Sequence, residues 1–259
     1  MIKFFRKIRY NLMEQNKTSK YFKYAIGEIV LVVIGILIAL SINNWNEKRK
    51  EALQEISILK NLQTDLKTDL EGISYQIVLK EGMIKDYKNC LEILSEKKEG
   101  TKEEITRLLA SILQVGGLTL NRTTFNNLET TGEIRLIQNK ALADSITTFY
   151  NSGFEGWETA LRDYTRNITA PYFLSFDHLS QYKFKDEEKK LTTQIQMPYK
   201  ASDFKKPEKT LEDYKQDYFI INTLRQKTWN LEELVDQYLM LQDYAQNLEI
   251  SIQNYLDSR

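Results

Sequence analysis

The chain has 259 residues, with 36 basic and 36 acidic side chains, one histidine, one cysteine and three prolines. A single cysteine, Cys90, excludes an internal disulfide, and beyond His178 there is no imidazole for a Ser/His/Asp or Cys/His arrangement, so no catalytic residue, metal site or cofactor is expected. The balanced charge is unevenly placed: residues 1–24 carry seven bases and one acid, which makes the tail +6 and the remainder −6.

In the tail, residues 1–23, Phe4, Phe5, Ile8 and Leu12 recur at helical spacing opposite Lys and Arg, as in a helix lying on an anionic lipid surface. The same bases do not point to nucleic acid, because they precede a membrane anchor and an acidic remainder. Residues 24–44 form the expected transmembrane helix, since about 20 helical residues cover about 30 Å of hydrocarbon. Tyr21, Phe22 and Tyr24 on one side and Trp45 on the other suit the water boundary. The bases before the span place the tail in the cytoplasm. A cleaved signal peptide is the competing reading, but Ala39-Leu40-Ser41 is a poor cleavage site. Within the span, Glu28 is the one charge and is placed near the headgroups. Gly35 and Ala39 form a small-xxx-small pair of the kind that lets two helices approach.

After the anchor the pattern turns helical and amphipathic. With a at 56, 63, 70, 77, 84 and 91 and d at 59, 66, 73, 80, 87 and 94, ten of twelve positions are apolar, Gln63 and Lys80 excepted. The spacing predicts a long helix over 46–97, with Gly72 and Gly82 as kinks or close contacts. Cys90 falls at a g position beside the seam, where a buried small side chain is expected. Residues 101–182 read as shorter cap helices. Thr101 and Glu104 have capping-box spacing, 124–130 is a short helix closed by Gly132, and 139–151 is another. A further helix over 157–168 is ended or kinked by Pro171. Residues 183–209, with Pro198 and Pro207, read as a loop. Leu231, Leu234, Tyr238, Leu241, Ala245, Leu248, Ile252 and Tyr255, extended backwards by Leu224 and Ile220, predict a second long helix over 211–256.

The expected fold is therefore all-α. A single N-terminal transmembrane helix leads into an elongated antiparallel bundle over 46–259, with two long stalk helices and a smaller helical cap. A parallel homodimer through each seam is the other pairing that the pattern permits. The central segment is the candidate ligand or partner site. Arg122, Asn126, Arg135 and Asn139 lie where helices break, and an arginine flanked by amides holds carboxylates well. The same groups also suit helix caps. Phe149, Tyr150, Phe154 and Trp157 read as packing first. Paired carboxylates such as Glu103-Glu104, Glu187-Glu188 and Glu232-Glu233 read as solvated faces.

The block from Lys23-Tyr24-Ala25-Ile26-Gly27-Glu28-Ile29 through Ile42-Asn43-Asn44-Trp45-Asn46-Glu47 resembles the opening of the DUF6090 family, uncharacterised membrane-anchored proteins of Bacteroidetes. Thr124-Phe125-Asn126-Asn127-Leu128-Glu129-Thr130-Thr131-Gly132-Glu133-Ile134, continuing to Leu142, matches a second family block, with Phe149-Tyr150 beyond it. The resemblance implies an inner-membrane setting with the large domain in the periplasm, and it brings no activity or catalytic residues. The expected role is a non-enzymatic, membrane-tethered scaffold whose partners are the bilayer and either another envelope protein or a second copy. The alternative is a ligand-sensing four-helix-type domain that signals through a partner.

Overall fold

A computed structural model describes Tyr10, residues 18–176 and residues 209–259. The rest of the basic tail before Thr18, His178, Glu187-Glu188 and the expected loop up to residue 208 lie outside the described residues. Among those described, every regular element is a helix. The chain divides into two compact units, Met1–Ile58 and Leu59–Arg259.

The first unit is dominated by the start of α1, Thr18–Leu94. It contains an apolar stretch long enough to cross a membrane, none of it buried. The expected segments 24–44 and 46–97 fall on one helix, since α1 is unbroken across Asn43, Asn44, Trp45 and Asn46. No proline falls within Thr18–Leu94, so nothing removes a backbone donor or forces a turn there. Gly72 and Gly82 do not end the helix either.

In the second unit, the buried stripe of α1 is rotated from the expected a/d seam. The d residues Leu59, Leu66, Ile73, Lys80, Tyr87 and Leu94 are all buried, and so are Leu62, Asp69, Met83 and Cys90 at g. Gln63, Leu70, Ile84 and Leu91, at a, are only half-buried. A seam scored on apolar residues misses this, because Asp69 and Lys80 are buried through hydrogen bonds rather than by hydrophobicity.

The helix stops at Leu94 in a Schellman motif. Glu96 takes a left-handed φ of 61°, its N–H bonds Ile93 O at 3.1 Å, and Lys97 N–H bonds Glu92 O at 3.0 Å. Thr101 then caps α2, Lys102–Leu108, by accepting from Glu104 N. An extended segment leads to α3, Thr123–Thr131, closed by Gly132 at φ 70°, and to α4, Lys140–Tyr150, capped by Asn139.

Helix α5, Glu155–Tyr164, widens into a π-helical stretch, Thr165–Thr169, before α6, Ala170–Phe173. Pro171 therefore does not end the helix, which continues to Phe173. A proline has no N–H and crowds the carbonyl four residues back, and the wider π turn just before it relieves both demands.

The second long helix was expected over 211–256. It begins instead as α7, Leu211–Lys215, and restarts as α8, Tyr218–Asp257. Asp217 causes the restart, since its side chain accepts from Ile220 N and caps α8. It also receives the Tyr172 hydroxyl and pairs with Lys209 at 2.7 Å. The expected α8 seam is buried from Ile220 to Ile252, and Tyr255 is half-buried. Polar pairs link α8 to α1, namely Gln63 with Gln253, Ser74 with Gln242 and Lys88 with Glu232, and Lys215 of α7 pairs with Glu96 just past the end of α1.

Candidate functional site

Two buried polar clusters organise the second unit; the sequence pattern pointed to Arg122 and Asn126 beside the first and singled out no site at the second. The first surrounds the start of α3. Asp65 and Asp69 lie one turn apart on α1, 8% and 2% exposed, and both face this helix end. Asp65 accepts from Thr124 N at 3.0 Å and from the Asn121 carboxamide at 2.7 Å, and Asp69 accepts from Asn121 N at 2.6 Å. The residue at the cap position, Arg122, makes no side-chain cap bond of its own. The free N–H of Thr124 in the first turn of α3 is thus met by the Asp65 carboxylate from another helix, which also suits the positive helix end. Asn121 Oδ1 accepts from Thr123 N at 3.3 Å, and Asp69 holds the Asn121 N–H just before the helix.

Arg122 acts at the other side of the cluster. It donates to Tyr150 O, to Asn151 Oδ1 at 3.3 Å and to Asn126 Oδ1 at 3.3 Å, and it lies 5.3 Å from the Phe125 ring centroid. A cation on the last carbonyls of α4 complements that helix end. Phe125 stacks on Tyr150 at 4.8 Å, which closes the cluster from the apolar side. The second oxygen of Asp69 and the Tyr150 hydroxyl are buried and make no hydrogen bond within the described protein. Burial first, and the nearby Asp65 charge to a lesser degree, push the Asp69 carboxyl up to about 6 against the pull of Asn121 N–H.

The structure therefore joins Arg122 and Asn126, two of the four residues proposed from the sequence. Arg135 is exposed on a 3-10 turn, Glu133–Leu136, and the Asn139 carboxamide is used as a helix cap. Of the residues singled out in the anchor, Gly35 and Ala39 are exposed and Glu28 is half-exposed on α1.

The second cluster fastens the extended segment between α2 and α3. Lys80 donates to Gly116 O at 2.6 Å, and Lys227, 1% exposed, donates to Ile112 O. Glu158 of α5 accepts from Leu118 N at 2.8 Å and from the Tyr238 hydroxyl. Burial lowers both lysines, and burial together with the charge of Lys80 brings Lys227 down to about 7. Lys80 was legible only as an interruption of the seam, and nothing in the sequence singled out Lys227. Their signal was position, since each falls on the buried stripe of its helix.

Beside this cluster, the extended segment and α5 enclose a hollow of about 290 Å³, with Glu155, Glu158 and Arg162 on one wall and Gly117 to Thr119 on the other. Cys90 is fully buried, and burial pushes its thiol up to about 12, so it is a packing residue rather than a nucleophile. Phe149 and Tyr150 are buried as well, with Phe149 edge-on to Tyr244 at 5.7 Å, and Trp157 meets Trp229 edge-on at 5.7 Å.

The DUF6090 family, a family of unknown function, matches residues 28–156. That stretch contains every residue of the first cluster, but of the second it lacks Glu158, Lys227 and Tyr238. No curated protein and no solved structure is significantly similar to the chain.

Proposed function

The chain belongs to the DUF6090 family, and we propose that it is a non-enzymatic, membrane-tethered scaffold whose helical unit docks another envelope protein or a second copy. The observation that carries this reading is α1 itself. One helix holds the unburied apolar stretch and continues into the second unit without a break. The basic tail supports an inner-membrane anchor with a cytoplasmic N-terminus and a periplasmic domain.

Along the long helices, the polar partners on α8 fall from 253 to 232 as the α1 positions rise from 63 to 88. This supports an antiparallel bundle formed within one chain. The titratable groups that burial perturbs most are each bound into a helix cap, a loop anchor or the core, which suits a framework better than a catalyst. On the opposite face of α1, Tyr75 and Val78 are 65% and 69% exposed, offering apolar contact to a partner.

A photocrosslinking residue at Tyr75 or Val78 in intact cells should trap one discrete adduct, with an envelope protein or with the chain itself. Recovery of nothing but uncrosslinked monomer would remove the scaffold reading. A second reading, ligand sensing through a partner, is favoured by the hollow beside α5.

A further inference from the structure

We propose that the hollow between the extended segment and α5 binds a small zwitterion of the α-amino acid type. This deepens the ligand-sensing reading and rests on it, in that it names the class of ligand the hollow would take. Glu155, Glu158 and Arg162 are spaced i, i+3 and i+7, so one face of α5 presents two carboxylates and a guanidinium together.

The wall is held in place before any ligand arrives. Glu158 is fixed by Leu118 N–H and by Tyr238, so its carboxylate cannot collapse into the space. Gly117 permits that placement, because a Cβ there would sit 2.0 Å from Glu158 Oε2. Arg162 spends one N–H on Thr159 Oγ1 at 3.0 Å, and the remainder of its five-donor fork suits a carboxylate.

Charge balance selects the ligand class. Lys80 lies close enough to Glu158 to feel its charge, which offsets part of that carboxylate. A dicarboxylate would meet Glu155 and Glu158 unmatched, and a diamine would meet Arg162. A molecule with both charges a few bonds apart matches Arg162 at one end and Glu155 with Glu158 at the other. At about 290 Å³, the hollow lies at the small end of the roughly 300–1,000 Å³ typical of ligand sites, which favours a molecule of amino-acid size.

The test is thermal unfolding and titration calorimetry on the full chain in nanodiscs, with L-alanine, L-lysine, L-glutamate, succinate and putrescine added singly. At least one amino acid should raise Tm saturably, while succinate and putrescine leave it unchanged. Glu155→Gln and Arg162→Gln should each weaken that binding roughly tenfold, the loss of one charge-assisted contact. Neither buries its side chain fully, so the unliganded Tm should hold. Thr119→Trp, which fills the hollow from an exposed position, should abolish the response. A response to succinate or putrescine alone overturns the zwitterion and leaves ligand sensing standing. An amino-acid response that survives all three substitutions places binding elsewhere and overturns the site. No response to any probe overturns the zwitterion site, and the sensing reading falls with it only if a wider ligand screen also leaves Tm unchanged.

Discussion

Glu96 closes α1 at a φ of 61°, a conformation that costs an L-residue with a Cβ on the order of 1 kcal/mol and costs glycine almost nothing. Its ion pair with Lys215 spans 3.0 Å, but the Glu96 side chain is 70% exposed, and surface pairs contribute little. Glu96→Gly should therefore stabilise the protein by roughly 0.5–1 kcal/mol, read as a higher midpoint in chemical denaturation. An unchanged or lower midpoint would mean that the ion pair outweighs the backbone term. Asp69 gives a second residue-scale test. Its carboxyl holds a proton up to about pH 6 in the folded chain, against about 4 unfolded. Between those values the folded state binds more protons, so the contribution of Asp69 to stability is fully present below about pH 4 and is lost as pH rises through about 6. Asp69→Asn retains an acceptor for Asn121 N–H and removes the ionisation. The variant's advantage over the wild type should grow from pH 4 to 6 and then level off, at no more than about 3 kcal/mol. A pH-independent difference would dissociate Asp69 from this titration.

At the scale of elements, helix existence was well marked in the sequence, and the joins were not. The caps at Thr101, Gly132 and Asn139 were legible because each uses a local signal of three or four residues. The carboxylate at the start of α3 was hidden, since Asp65, which accepts from Thr124 N, lies more than fifty residues away. The break before α8 was hidden differently. Asp217 sits inside an otherwise continuous apolar rhythm, so its cap on Ile220 N was masked, and its contacts to Tyr172 and Lys209 hold the carboxylate there. Those contacts make Asp217 the hinge point between α7 and α8. Asp217→Ala removes the cap on Ile220 N and leaves Lys209 without its carboxylate, a loss of roughly 2–3 kcal/mol. Asp217→Asn keeps a capping oxygen and should cost about half as much. Hydrogen exchange should localise the effect: amides at 218–221 lose protection, while those at 241–252 keep it. Uniform loss along α8 would instead show that the cap stabilises the helix as a whole.

For the whole molecule, the division between an apolar helical start and a polar helical remainder was readable from hydropathy and charge alone, whereas the buried polar clusters were not, because burial of Lys80, Lys227 and Asp69 depends on partners distant in sequence. The same division sets up a test of topology for which the lone cysteine is well suited. Cys90 is fully buried and its thiol is held protonated, so the native wild-type chain should not react with a membrane-impermeant maleimide. A new cysteine then reports only its own side of the membrane. Lys85 is exposed on α1 beyond the apolar stretch, and Lys3 lies in the basic tail. In the orientation proposed above, the excess of Lys and Arg before the span keeps that tail on the cytoplasmic side. In cells with a permeabilised outer membrane and an intact inner membrane, Lys85→Cys should label at once. Lys3→Cys, which removes only one of seven bases, should label only after lysis. The reverse pattern would invert the orientation and move the scaffold to the cytoplasm, and labelling of both before lysis would mean that the apolar stretch does not span the bilayer.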